Sequence, residues 1–106
     1  MHTVELSERL YVPIHKILND LKFENEKEAL VDYSLISAMH KKSEFEEECN
    51  RFGQKYNMAF KEFEKKVIGA GEENFEEWDD DYLAWKFAED GREHWSKRIS
   101  ELKDAL

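Results

Sequence analysis

Four glycines and a single proline punctuate a chain of 106 residues. Sheets reverse direction often, and their turns draw heavily on residues of these types. A sequence this poor in breakers lacks the turns of an all-β fold but can run in long helices. The expected class is mainly α, with one real break at Gly69-Ala70-Gly71. That break separates an N-terminal helical module over residues 1–68 from a helical arm over 72–106, within one compact domain.

Apolar periodicity and capping residues place the helices. Residues 2–6 (HTVEL) are the one strand candidate, with Val4 and Leu6 on one side and Thr3 and Glu5 on the other. Ser7 offers an N-cap, and Leu10, Ile14, Ile17, Leu18 and Leu21 form a stripe at helical spacing. Pro13 leaves two starts open: at Glu8, with the proline inside the helix, or near Val12. Asn25-Glu26-Lys27-Glu28 has the capping-box arrangement, followed by Ala29, Leu30, Tyr33, Ile36 and Met39. Ser43-Glu44-Phe45-Glu46 repeats the signature and predicts a new helix carrying Phe45, Cys49, Phe52 and Tyr56. Gly53 weakens that helix, and Asn57 suits a left-handed C-terminal residue. A shorter segment over 59–68 presents Phe60, Phe63 and Val67. Beyond the glycine break, Trp78, Tyr82, Trp85, Ala88, Trp95, Ile99 and Leu102 keep the rhythm. A single helix over 74–103 would be about 45 Å long, too long to be covered without a partner or a fold-back, and Gly91 could kink it.

Charge narrows the partners. Charged residues make up 39% of the chain and the net charge is −9, so contact with a phosphate backbone would begin from repulsion. An aromatic content of 13% sets the chain apart from acidic disordered segments. A single cysteine, Cys49, rules out an internal disulfide. It lies in an apolar stripe near Glu47, Glu48 and Arg51, where carboxylates raise a thiol pKa, so the expected role is a small buried side chain. The start of the chain lacks the apolar core of a secretory signal, and nowhere do about 18 apolar residues follow one another. The expected location is the cytoplasm, away from any membrane.

Residues 72–81 read EENFEEWDDD, seven acids in ten with Phe75 and Trp78 among them. One reading is a solvated helix start, its carboxylates facing the helix dipole. The other is a segment that docks on a basic protein surface. Trp78, Tyr82 and Trp85 likewise read as core or as interface anchors. Consecutive Asp79, Asp80 and Asp81 point three ways on a helix and lack the loop spacing of a calcium site. His2, His15, His40 and His94 are scattered, without Glu-x-x-His or His-Glu-x-x-His. Asp90 and His94 share a face as an ordinary helical pair. Phosphate-binding glycine loops, nucleophile elbows and zinc-type cysteine spacings are missing, so neither catalysis nor a metal or other cofactor is expected.

The order strand, helix, helix in HTVELSERL and FENEKEALVDYSLISAM resembles the ribbon–helix–helix module, over about two-fifths of the chain. The resemblance implies a dimer whose paired strands meet the major groove through Thr3 and Glu5, a use that a basic patch from Arg9, Lys16 or Lys22 near the two-fold would favour. Glu5 facing phosphate argues against DNA binding. The remainder, RFGQKYNMAFKEFEKKV with EENFEEWDDDYLAWKFAEDGREHWSKRISEL, is similar in texture to small archaeal and bacterial antitoxin-like proteins. That likeness implies a homodimer whose helical arm wraps a basic, toxin-like partner. The expected function is a non-enzymatic, antitoxin-like interaction module. Glu76, Glu77, Asp79, Asp80 and Asp81 would supply charge; Phe75, Trp78, Tyr82, Trp85 and Trp95 would be the anchors. A DNA-binding regulator using Thr3, Glu5 and Arg9 is the alternative. A carboxylate or metal enzyme, needing a pocket with three or more acids, is a third.

Overall fold

A computed structural model describes residues 7–70 and 76–106. They form four helices: α1 (Glu8–Asp20), α2 (Glu26–Tyr56), α3 (Phe60–Ala70) and α4 (Glu76–Ala105). The helical class holds, but the strand–helix–helix architecture does not. Every regular element among the described residues is a helix, and the strand candidate at residues 2–6 lies outside them. The second and third expected helices are one, because α2 continues past Met39 for 31 residues in all.

Why Ser43 fails to start a helix is visible in its neighbours. Glu44 turns back to His40 at 2.9 Å and Lys41 at 3.7 Å, and Glu46 to Lys42 at 3.6 Å. The acids that signal a cap are used as i,i+3 and i,i+4 partners, which exist only on a continuous helix. A serine inside a helix costs only a few tenths of a kcal/mol, so ~0.3–0.5 kcal/mol per pair is enough to carry the helix through.

The other ends follow local chemistry. Asn25 Oδ1 accepts from the Glu28 N–H at 2.8 Å, while Glu28 reaches one residue beyond the usual box to accept from the Glu24 N–H at 3.1 Å. α2 ends at Asn57, whose φ of 50° is the left-handed conformation expected there. α1 begins at Glu8 with Pro13 inside it. The Ser7 carbonyl accepts from Leu10 and Tyr11, while its side chain makes no capping bond. α1 closes with a Schellman arrangement: Lys22 N–H donates to Asn19 O at 3.0 Å and Phe23 N–H to Leu18 O at 2.9 Å. Lys22 takes the left-handed position, φ 65°, without being glycine.

The chain divides into two compact units, Met1–Ile36 and Ser37–Leu106, so the division falls inside α2 and leaves α3 and α4 together. In the second unit the rest of α2, α3 and α4 surround an aromatic core. Phe52, Phe63 and Trp85 are almost wholly buried, with Cys49, Val67 and Ala88 beside them. Trp85 is the hub: its ring lies 5.8 Å from Phe52, 5.2 Å from Phe63 and 5.4 Å edge-on from Phe60. α4 continues through Gly91, so the residue does not end the helix. Its glycine serves packing instead, since a Cβ there would lie 2.6 Å from the Phe45 ring.

The first unit is a two-helix hairpin of α1 and the start of α2. α1 buries no residue. Leu10, Ile17, Leu21, Leu30, Tyr33 and Ile36 are all exposed.

Candidate interaction surfaces

The acidic-aromatic arm sorts into inward and outward residues once α4 forms. Phe75 lies outside the described residues, as do the side chains of Glu76 and Glu77, which open α4. Trp78 is half-buried and meets Phe63 edge-on at 6.2 Å. Tyr82 lies parallel to Phe60 at 6.0 Å and donates its hydroxyl to Glu64 Oε2 at 2.9 Å. That bond to a carboxylate, with burial next, raises the Tyr82 pKa. Trp85 is 2% exposed, so its surface is taken up inside the unit. Trp95 is half-buried beside His94, ring centroids 5.1 Å apart.

The three aspartates separate as their helical positions require. Asp79 and Asp80 are exposed. Asp81 turns inward, accepting from Lys55 Nζ at 2.7 Å and from the Tyr56 hydroxyl. Burial acts to raise its pKa, but Lys55 and Tyr56 outweigh it and hold the carboxyl below the ordinary aspartate range. One member of the acidic run is therefore a tie between α2 and α4.

Sequence reasoning missed the outer face of α4. Leu83 is 64% and Phe87 68% exposed, one turn apart and one turn beyond Asp79 and Asp80. Phe87 touches Phe45 only by an edge, at 5.7 Å. The available signal was that 83 and 87 fall off the 78-82-85 stripe, which marks apolar residues with no seat in the same core.

A second feature of the larger unit is a cleft of about 620 Å³ reached by Cys49, Trp85, Glu89 and Arg92. Arg92 Nη2 donates to Glu89 Oε2 at 2.8 Å. Burial tends to raise the Glu89 pKa, yet Arg92, then Cys49 and Trp85, bring it below the usual value. Burial first, and Glu89 next, push the Cys49 thiol up to about 11. At neutral pH it is protonated and a poor nucleophile. The carboxylate responsible is Glu89 across the helix interface, which Glu47 and Glu48 in the sequence did not reveal. Trp85 Nε1 is buried and lies near Glu89 without forming a well-aligned hydrogen bond.

In the hairpin, Ile14, Leu18, Leu21 and Phe23 face Ala29, Leu30, Tyr33 and Ile36 across an open groove of about 570 Å³. Its polar edge comes from Glu26 and Asp32. His15 Nδ1 approaches Glu26 Oε1 at 3.6 Å and stacks on Tyr11 at 5.4 Å. A hydrogen bond from its own backbone N–H is the main reason the Glu26 pKa is low, with Tyr11 and His15 adding smaller effects against burial. Of the DNA-facing candidates, Thr3 and Glu5 lie outside the described residues, and Arg9 is exposed on α1. Among the described residues no three His, Cys, Asp or Glu side chains gather as a metal site, and no helix is long and apolar enough to cross a membrane. Against protein-family models, curated proteins and solved structures alike, the chain shows no match.

Proposed function

We propose that this chain is a non-enzymatic, antitoxin-like interaction module whose α4 docks a basic partner protein. The observation that carries the reading is the outer face of α4, where Leu83 and Phe87 stand exposed beside Asp79 and Asp80. Interface energy concentrates in a few large apolar side chains, while surrounding charge steers encounter and excludes wrong partners. An apolar pair with acidic neighbours fits a surface of lysine and arginine around an apolar pocket. The anchors are then Leu83 and Phe87, with Trp78 and Trp95 at the margins. Trp85 contributes by holding α4 in place.

Co-expression with the neighbouring gene's product, followed by binding kinetics, tests this. Phe87→Ser and Leu83→Ser should speed dissociation about 30-fold or more. Asp79→Asn with Asp80→Asn should slow association and flatten its salt dependence. Failure to recover any complex, or a complex indifferent to all four changes, defeats the proposal. Circular dichroism on the same samples verifies that each variant is folded.

A further inference from the structure

The hairpin carries an inference that does not rest on the α4 reading. We infer that the α1–α2 groove receives a basic amphipathic helix of another protein, apolar face on the seam and cations against Glu26 and Asp32.

Shape is the first argument. Ile14, Leu18 and Leu21 recur at helical spacing on α1, as do Ala29, Leu30, Tyr33 and Ile36 on α2, and together they line the groove. Leu21, Leu30, Tyr33 and Ile36 remain 47–71% exposed. Each row rises about 10 Å, which matches a helix of about two to three turns. Such a helix anchors through residues at i, i+3, i+4 and i+7. A small molecule fits less well, because sites for small ligands enclose most of the ligand, whereas this seam is open along its length. The larger unit shows what a third helix does to such a seam, since α2, α3 and α4 close over Trp85.

Charge names the occupant. Among the described residues, the charged groups lining the groove are Glu26 and Asp32. Lys16, Lys22 and Lys27 are exposed on the same hairpin, and none of them lines it. Along α2 the two carboxylates are about 9 Å apart in rise, within reach of cations about two turns apart on one partner helix. Glu26 Oε1 is buried without a well-aligned hydrogen bond, His15 Nδ1 standing 3.6 Å away. A lysine or arginine of the incoming helix supplies a charged donor there. A second copy meets the wrong sign. Groove set on groove brings Glu26 and Asp32 against their own kind, from chains of net charge −9.

Titration of the full chain with synthetic peptides, read at backbone amides by NMR, tests the inference. The probe is a peptide of about 14 residues with leucines at i, i+3, i+4 and i+7 and flanking lysines. One control replaces every lysine by glutamate, and another scrambles the order. The lysine peptide should shift amides of residues 14–36 and bind about 10-fold or more tightly than either control. Its binding should weaken as salt rises. Equal binding of the glutamate peptide overturns the inference, as do shifts confined to α4, a result that would instead favour the α4 reading. Leu30→Ser with Tyr33→Ser should weaken binding at the hairpin amides about 10-fold or more. Glu26→Gln with Asp32→Asn should weaken it and flatten its salt dependence, while Phe87→Ser should leave it unchanged. Indifference to both groove changes overturns the inference. Should a variant lose its hairpin, the peptide comparison on the unmodified chain decides. Sedimentation equilibrium of the free chain treats the remaining occupant: a dimer dispersed by the Leu30 and Tyr33 changes would place a second copy in the groove and overturn the inference.

Discussion

α1 and α4 both carry apolar residues at helical spacing, and their fates are opposite. α4 meets two other helices, which close over Trp85 and Ala88 until each is 2% exposed. α1 meets one helix, and none of its residues is buried. Three helices enclose a core, whereas two leave a groove. An amphipathic stripe therefore states that a face seeks cover but not whether the cover lies in the same unit. The contrast also separates two uses of aromatic rings, which stack into a core in the larger unit, while Tyr11 and Tyr33 remain at the surface of the smaller one.

The sharpest way to break this comparison is to truncate one member of each stripe. Trp85→Ala should cost about 3–5 kcal/mol in denaturant unfolding, because the cavity sits among Phe52, Phe60 and Phe63. Leu21→Ala, at a side chain 62% exposed, should cost less than about 1 kcal/mol in dilute, monomeric protein. Equal losses would mean that the two regions are not packed differently.

Gly91 tests the close packing of the larger unit. Gly91→Ala would gain about 1 kcal/mol of helix propensity, but its Cβ meets the Phe45 ring, an overlap costing about 1–3 kcal/mol. The expected net effect is a loss. In a Phe45→Ala background the same substitution should become stabilising. A double-mutant cycle by thermal or chemical unfolding reads the change of sign, and its absence would remove the packing role assigned to this glycine.

Lys22 offers the matching probe of the hairpin. A side chain in the left-handed conformation costs about 1–2 kcal/mol, part of which glycine returns in the unfolded chain. Lys22→Gly should therefore stabilise the α1–α2 turn by about 0.5–1 kcal/mol, seen as slower hydrogen exchange at Lys22 and Phe23. Faster exchange would contradict the turn geometry.

The smallest expected effect is electrostatic. Asp81 has a folded-state pKa below its ordinary value of 3.8. Its contribution is therefore complete above that value and is lost as pH falls through the folded pKa. At about 1 kcal/mol or less for a partly exposed pair, Asp81→Asn should flatten the acid limb of the stability–pH curve. Little should change in that curve near neutrality beyond a uniform offset. An unchanged acid limb would show that the tie to Lys55 and Tyr56 does not support the larger unit.

The sequence by itself determined the helical class, the apolar stripes and several ends. Scarce glycine and proline, the Asn25 cap and the left-handed Asn57 act within about one turn, so each is legible from neighbouring residues. Tertiary structure decided what depends on distant groups. Ser43 looked like a helix start until Glu44 and Glu46 were seen paired with the preceding turn. Gly91 looked like a weak point in its helix until Phe45 was seen packed against it. Trp85 went inside and Phe87 stayed outside although both belong to one helix, because burial follows from where α2 and α3 lie. The acidic run was split in the same way, Asp81 being tied to a residue 26 positions away. Local hydrogen bonding and steric preference write helices into sequence, whereas the side of a helix that meets another is settled only when the chain has folded back on itself.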